Sequence, residues 1–400
     1  MEEKINRYLD TIAPQLIEMA DDIFDHPELP YEEVRSSGIL CDWLEKEGFT
    51  VQRGIEELNT AFKAVYQNGP GGLNIGLLCE YDCLPNGHSC GHHMQGPVIL
   101  GAAAALKNSG LNIPFTITVY GTPAEEVLTG KPKMIEKGCF RELDVALMTH
   151  AGEYCCVRTQ SLTGINLKVV FTGVHAHDTA MPWANRSGFD AFVLAMQGME
   201  FLRGHVHDGT RLFHQLYDAI GVKGNTDPSR AEGVFACRTF RLEDKEDLEK
   251  RMRNILEGAA LMSGVKVEIE KTLDVMGTLG SESLGKLVMK FAKELDAPQI
   301  NENVANTGGS NDFANITHLL PGTIARVATT PPGVATHSVE FLKYGKSQLS
   351  HESTVIGAKI IAQACAEMLK KPEILREVKT ELSRRKAELA EKIAVLNGNA

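Results

Sequence analysis

The sequence predicts an α/β fold with a mostly parallel sheet, interrupted by an inserted ferredoxin-like α+β domain, from three observations. Helical and strand-like segments alternate through residues 1–160, which is typical of a layered α/β domain. The order then changes to βαββαβ, that of a ferredoxin-like sandwich, and helices with one strand-like run follow. Because 400 residues exceed one ordinary core, we expect a first α/β part (1–162), an inserted domain (163–272) and a second α/β part (273–400).

The first α/β part is predicted to begin with two helices and to continue with strands. Apolar residues recur at helical spacing over about residues 3–24 and 32–47. The Ala-rich run GPVILGAAAALKNSG (96–110) predicts a third helix between the second and third strands. Short apolar runs predict four strands: AFKAVYQ (61–67), NIGLLC (74–79), FTITVYG (115–121) and DVALMTH (144–150).

The inserted domain is predicted to contain four strands and two helices. In chain order the segments are strand 164–173, helix 187–204, strands 210–221 and 233–241, helix 245–264 and strand 265–271. The second α/β part adds a helix over 281–297, a strand over 322–329 and two closing helices. Between them lie the Gly/Asn-rich run NTGGSNDFANITH and the loop TPPGVATHSVEF.

Composition and charge exclude several classes of partner. The net charge is −11, whereas nucleic acid and anionic membranes require a basic patch. The N-terminus lacks the basic start and apolar region of a signal peptide, and no apolar run approaches the roughly 18 residues of a membrane-spanning helix. The nine cysteines are scattered rather than spaced as a disulfide framework. We therefore expect a protein of the reducing cytoplasm that binds neither nucleic acid nor membrane.

Polar residues follow three of the predicted strands. The second strand runs into CEYD (79–82), the third runs into GTPAEE (121–126), and the fourth ends at His150. Because the ligand crevice of an open α/β sheet lies outside the carboxyl ends of its strands, these groups should converge. The stretch NIGLLCEYDCLPNGHSCGHH (74–93) adds further possible metal ligands. The sequence thus predicts a site at this edge of the sheet.

Three kinds of site are compatible with this cluster. A structural zinc usually takes paired Cys/His knuckles, whereas Cys90 and His92 are one residue apart and no second knuckle follows. A thiol nucleophile at Cys90 lacks a nucleophile elbow or C-x-x-C pair, and nearby carboxylates would raise its pKa. A catalytic metal site fits better, because adjacent Glu125 and Glu126 can divide proton transfer and metal binding. A metal-binding protein without catalysis stays open, although it would not need both glutamates.

Four of these residues supply most of the ligands for a pair of metal ions. Such a pair, about 3.5–4 Å apart, would need roughly five or six ligands, some of them bridging. The four are Cys90, His92, Glu126 and His150. Cysteine and imidazole suit zinc, whereas carboxylates also admit manganese.

Six motifs occur in order along nearly the whole chain: LLCEYDCLPNGHSCGHH, GTPAEE, DVALMTHAG, FTGVHAHDTAMPWANRSGFDAF, GGSNDF and THSVEF. In this order they resemble peptidase family M20, specifically its amidohydrolase branch of aminoacylase-like and carboxypeptidase-like dimetal enzymes. The first two motifs are most similar to the dipeptidase and aminobenzoyl-glutamate-hydrolase-like group. The resemblance implies a metal-dependent amidohydrolase acting on N-acyl amino acids or short dipeptides with a free carboxylate, through a metal-activated water and a Glu general base.

The resemblance also implies roles for individual residues of the α/β parts. Five residues are implied to bind two divalent ions, zinc or manganese: Cys90, His92, Glu126, His150 and His337. Glu125 is implied as the general base, and Asp82 as the carboxylate that orients the site. The chain departs from the family's pattern at Glu80, where Asp is commoner, and at His93, where Asp or Asn usually follows CGH. Glu80 is given no role, and the imidazole of His93 could compete for coordination or reshape the pocket.

The inserted domain is implied to carry contacts to the substrate. His177 in GVHAHD matches the family histidine that stabilises the developing oxyanion, often from a partner subunit. Asn225 in GNTDP and Arg238 in CRTF match positions that bind the substrate carboxylate. Asn225 also suits a turn, and Arg238 could be a surface charge at a strand end. The resemblance further implies a homodimer or higher homo-oligomer formed through this domain.

Overall fold

The computed structural model describes residues 1–220, 228–304 and 309–396, which form two compact units. The described residues of the first unit are 1–160, 278–304 and 311–385. Those of the second unit fall between 161 and 277, at 309–310 and at 386–396.

The helices and strands follow one another in this order. The first unit begins with α1 (Glu2–Asp25), α2 (Val34–Lys46), β1 (Thr50–Ile55), β2 (Leu58–Asn68), β3 (Leu73–Cys79), α3 (Gln95–Lys107), β4 (Phe115–Gly121), α4 (Gly130–Glu136), β5 (Val145–Gly152) and β6 (Cys156–Val157). The second unit contains β7 (Thr163–Thr172), α5 (Gly188–Arg203), β8 (Arg211–Ile220), β9 (Arg230–Thr239), α6 (Lys245–Ser263) and β10 (Lys266–Val275). The chain closes with α7 (Glu282–Glu294), α8 (Phe313–Thr317), β11 (Gly322–Ala328), α9 (Val339–Leu342), α10 (Gln348–Lys370) and α11 (Pro372–Leu396).

The first unit is built on a seven-stranded sheet in the order β1-β2-β4-β3-β5-β11-β6. The central strands β4, β3, β5 and β11 run parallel, as the alternation of helix and strand predicted. The edge strands β1, β2 and β6 pair antiparallel. Cys79 of β3 lies opposite Gly121 of β4, and Leu78 of β3 lies opposite Met148 of β5. The carboxyl ends of β3, β4 and β5 therefore reach the same edge of the sheet.

Both faces of this sheet are buried, because alternate side chains of a strand point to opposite faces. On one face, Leu77 and Val145 belong to a core that includes α1, α2, α3, α7 and α10. On the other face, Leu78 and Met148 belong to a core with residues of α4 and α8. This two-sided burial explains why the predicted strands are continuous apolar runs.

The central helix α3 fixes the loop that precedes it. Every residue from Gln95 to Leu106 is buried. Its small side chains allow α1 to approach closely, since a Cβ at Gly101 would lie 2.6 Å from Leu16 Cδ1. A 3₁₀ turn over His92–Met94 leads directly into α3. The packing of α3 therefore holds the segment that carries Cys90 and His92.

The second unit is a four-stranded antiparallel sheet in the order β10-β7-β9-β8, with α5 and α6 packed on one face. Its core contains Phe171, Phe192 and Phe235. The predicted βαββαβ order is confirmed. Across the described residues of both units, no helix is long and apolar enough to cross a membrane.

Candidate metal site

The converging strand ends create a cluster of buried polar residues in the first unit. Glu80 and Asp82 follow β3, Glu125 and Glu126 follow β4, and His150 lies in β5. Nε2 of His92, from the loop after β3, lies 3.4 Å from a Glu80 oxygen and 3.6 Å from a Glu125 oxygen. The predicted convergence of the three strand ends is confirmed.

Two groups of possible metal ligands share the Cys90 thiol. One group is Cys90, His92 and His150, the other is Cys90, Glu126 and His337, and the ligand atoms within each group lie within 4.8 Å of one another. Cys90 Sγ is 3.7 Å from His150 Nε2, and His337 Nε2 is 3.8 Å from Glu126 Oε2. A sulfur common to both groups is placed to bridge two cations.

Two buried atoms of these groups lack a hydrogen-bond partner. They are His92 Nε2 and Glu126 Oε1, and they lie 3.9 Å apart. An unsatisfied buried polar group costs about 1–3 kcal/mol, and a divalent cation would satisfy both atoms, since imidazole and carboxylate are common ligands. The residues present therefore fit a metal site.

Asp82 contacts residues of both groups. The Nδ1 atom of His92 lies 3.1 Å from the Asp82 carbonyl oxygen and 3.3 Å from its Oδ1. The other carboxylate oxygen of Asp82 accepts the Glu126 backbone N–H at 2.8 Å. A hydrogen bond at one ring nitrogen fixes the tautomer and leaves the other nitrogen for a metal. His150 is arranged in the same way, with its Nδ1 2.8 Å from the Ala151 carbonyl oxygen.

The environment of Cys90 disfavours a thiol nucleophile. Burial raises the pKa of the Cys90 thiol to about 12, although the neighbouring His92 acts in the opposite direction. A thiol with such a pKa is protonated at neutral pH and is a poor nucleophile. A bound cation, in contrast, deprotonates a coordinating thiol.

Glu125 belongs to neither group that shares Cys90. It lies instead with Glu80 and His92 in a third group. Burial, followed by the negative charge of Glu80, raises the pKa of Glu125 well above its usual range. A buried carboxylate of raised pKa can accept and return a proton near neutral pH.

The backbone before Glu125 is held in an unusual conformation. Ala124 has a φ of 59°, a left-handed conformation that is rare for a residue with a side chain. Its N–H donates to Glu33 Oε1 at 2.9 Å, and the other Glu33 oxygen accepts the Thr60 hydroxyl at 2.7 Å. The buried Glu33 thus fixes the turn that aims Glu125 and Glu126. Outliers of this kind cluster at functional sites.

Comparison with known proteins identifies the family. The model of peptidase family M20/M25/M40 matches residues 80–366. Human Xaa-Arg dipeptidase is 30% identical over 393 residues, which cover 93% of this chain and 89% of that protein. The chain belongs to peptidase family M20. The sequence resemblance is therefore confirmed, and the protein is a metallo-hydrolase.

Other M20 relatives agree in sequence and in fold. A p-aminobenzoyl-glutamate hydrolase chain of Escherichia coli is 26% identical over 458 residues, covering 95% of each sequence. The YXEP protein of Bacillus subtilis, described as a dinuclear metal binding peptidase of the M20 family, superposes with a TM-score of 0.72 at 20% identity, covering 90% of this chain and 99% of that chain. The aminobenzoyl-glutamate utilization protein of Klebsiella pneumoniae gives a TM-score of 0.68 at 17% identity, covering 91% and 98%. The predicted fold class is confirmed.

Two residues of the M20 motifs lie differently from the simplest expectation. His93 does not join the possible ligands, because its Nε2 donates to the Gly345 carbonyl at 2.9 Å and its ring packs edge-on to Phe24. Successive side chains of a 3₁₀ turn point about 120° apart, so His93 and His92 face different surroundings. His337 has a φ of 67° and is held by its N–H, which donates to the Ser89 carbonyl at 2.8 Å.

The residues predicted to contact substrate lie in the second unit or outside the described residues. His177 is exposed, and its Nδ1 accepts the Ala180 N–H at 3.3 Å. The Arg238 guanidinium is half-buried and donates to Asn166 Oδ1 and to two backbone carbonyls. Its Cζ lies 5.5 Å from the centre of the Phe213 ring. Asn225 lies outside the described residues.

Sequence reasoning missed the partners of Glu80. The Glu80 carboxylate, which was given no role, bonds to Gln95, Lys131 and Asn311. Burial alone would raise its pKa, but the charges of Lys131, His92 and His150 outweigh burial and lower the pKa to about 2. The motif GGSNDF pointed to residues near 311, whereas a single lysine at a helix start carries no comparable signal.

Proposed function

We propose that this protein cleaves the amide bond of dipeptides or N-acyl amino acids that carry a free carboxylate. The observation that carries the proposal is the difference between two adjacent glutamates. Glu126 belongs to a ligand group with Cys90 and His337, whereas the buried Glu125 does not. One carboxylate is therefore available to a cation and the other to a proton.

We propose that the site holds two divalent ions, zinc or manganese. The ligands would be Cys90, His92 and His150 for one ion, and Cys90, Glu126 and His337 for the other. When bound, such ions polarise a carbonyl group and lower the pKa of a water molecule. The description of the Bacillus subtilis relative as dinuclear supports the number of ions.

The protein's own residues would move and hold protons around this centre. Glu125 would accept a proton from the attacking water and return it to the departing amine. Asp82 accepts the Nδ1 proton of His92, so that Nε2 keeps its lone pair. The His177 Nδ1 atom already accepts a backbone N–H, so its Nε2 is free to donate to the oxyanion that develops on the substrate.

The substrate class is inferred from the names of the relatives and from the second unit. Xaa-Arg dipeptides and aminobenzoyl-glutamate, named for two relatives, each present an amide bond beside a free carboxylate. We propose that Arg238 and Asn225 bind that carboxylate, since guanidinium groups match carboxylate geometry. Long peptides should be poor substrates.

Metal dependence and the base are tested together. Purified protein should contain up to two divalent ions, and chelation should abolish turnover. Glu125→Gln keeps the volume but removes the base, so kcat should fall roughly 10²–10⁴-fold while metal content stays unchanged. Glu126→Gln is the matched control and should lose metal. Full turnover by metal-free protein, or wild-type kcat in Glu125→Gln, would contradict the proposal.

Substrate choice is tested with matched acids and amides. N-acyl amino acids, dipeptides including β-alanyl ones, and aminobenzoyl-glutamate should each be offered as the free acid and as the C-terminal amide. Loss of a charged hydrogen bond, worth about 1.5–3 kcal/mol, should raise KM roughly 10- to 150-fold. Arg238→Gln should raise KM for the acid and leave the amide unaffected. Equal cleavage of acid and amide would exclude this role for Arg238.

We also propose self-association through the second unit and a reducing, cytoplasmic location. The edge strand β8 exposes Phe213, Leu216, Tyr217 and Ile220, and an apolar edge strand favours pairing with another chain. All nine cysteines are free and buried, which suits a reducing compartment. Light scattering of the wild type and of Tyr217→Lys tests the assembly, and an unchanged mass would contradict it.

A further inference from the structure

Lys131 is a cation enclosed by two carboxylates beneath the candidate metal site. Its Nζ donates to Glu80 Oε1 at 2.6 Å and also to Asp312. The Lys131 and Glu80 side chains are both fully buried. The Lys131 backbone N–H donates to the second Asp312 oxygen at 2.9 Å. Because lysine is almost never fully buried unless paired, these contacts fix the ammonium in place.

The remaining hydrogen-bonding capacity of Glu80 is also occupied. Asn311 Nδ2 donates to Oε1 at 3.0 Å, and Gln95 Nε2 donates to Oε2 at 2.8 Å. The Glu80 N–H donates in turn to Gln95 Oε1 at 3.2 Å. Donors from α3, α4 and the segment before α8 thus hold one carboxylate.

Glu80 nevertheless lies close enough to compete for a cation. Its Oε2 is 3.4 Å from His92 Nε2, the buried atom that lacks a hydrogen-bond partner. Glu80, His92 and Glu125 form a third group whose ligand atoms lie within 4.8 Å of one another. A metal drawn into this group would recruit Glu125 as a ligand. The reaction requires that carboxylate to be free for proton transfer.

We propose that Lys131 is a positioning residue that withholds Glu80 from the metal centre. The inference rests on the proposed function, because it takes Cys90, His92 and His150 as ligands. Ionic hydrogen bonds to Lys131 are stronger than neutral ones and keep the Glu80 charge directed away from the cation. Without Lys131, Glu80 would be a buried charge without a counter-ion, and the nearest cation would be the metal.

Two variants that differ only at residue 80 test the proposal, with cobalt(II) as the added metal. Lys131→Met with Asp312→Asn leaves Glu80 as the single charge of the buried trio. Its cobalt absorption should differ from that of the wild type, because a carboxylate enters the coordination sphere, and kcat should fall roughly 10- to 100-fold. Adding Glu80→Gln removes the competing carboxylate and should restore the wild-type cobalt spectrum. A purely structural role would lower stability in both variants without changing either spectrum.

The outcomes separate this inference from the proposed function. An unchanged cobalt spectrum in the Lys131→Met, Asp312→Asn protein would overturn the role of Lys131. Should that protein fail to fold, Glu80→Gln alone should keep the wild-type spectrum and the number of bound ions, and loss of an ion would show that Glu80 is a ligand. Absence of thiolate-to-cobalt absorption in the wild type would instead refute the metal site itself.

Discussion

Asp82→Asn tests how far the ligand geometry depends on one carboxylate. Asp82 uses both oxygens, one 3.3 Å from His92 Nδ1 and one accepting the Glu126 N–H at 2.8 Å. An asparagine side chain has one acceptor oxygen, so its NH₂ group must face one of these two donors. The His92 ring retains the Asp82 carbonyl at 3.1 Å. We therefore expect the amide oxygen to keep Glu126 and the NH₂ group to turn toward His92.

The expected magnitude follows from the interaction that is lost. A hydrogen bond to a charged group contributes about 1.5–3 kcal/mol, and each 1.4 kcal/mol is about tenfold in an equilibrium constant. Asp82→Asn should therefore weaken metal binding roughly 10- to 150-fold, in line with the roughly 10- to 100-fold effect of residues that orient ligands. Saturating metal should restore much of kcat, because Asp82 touches no reacting atom.

Chelator competition measures the dissociation constant of each ion in the wild type and in Asp82→Asn. The matched control is Asp144→Asn, in the same unit. Asp144 also accepts a backbone N–H, that of Asn74 at 3.0 Å, and pairs with Lys379. It is not among the possible ligands, so its variant should bind metal normally. A dissociation constant for Asp82→Asn equal to that of Asp144→Asn would refute the reasoning.

Two further predictions concern Cys90 and Glu33. Cys90→Ala removes the atom common to both ligand groups, so metal analysis should find that neither ion is retained through gel filtration; two retained ions would exclude a bridging thiolate. Burial, its main cause, raises the pKa of Glu33 above 4.5, so the folded state binds this proton more tightly than the unfolded state. The associated stability is complete below about pH 4.5 and is lost as pH rises through the raised pKa. Urea titrations should show a smaller decline in Glu33→Gln, and an identical decline would contradict the assignment.

The sequence by itself determined the elements and the identity of the main site residues. Periodicity predicts most helices and strands because one face of each must be buried. Strand β1 was missed, since TVQRGI is short and largely polar and is ordered by pairing with β2. The motifs after β3 and β4 identified Cys90, His92, Glu125 and Glu126 because parallel strands end at one edge of the sheet.

The tertiary structure decided which of these groups face one another. Asn311 reaches Glu80 across 231 positions of the chain, and no local pattern records such a contact. His92 and His93 are adjacent in sequence, yet one faces the possible ligands and the other the Gly345 carbonyl. The direction of a side chain depends on the packing of the elements that surround it. For that reason, sequence alone could name the possible ligands but could not show that Lys131 holds Glu80 apart from them.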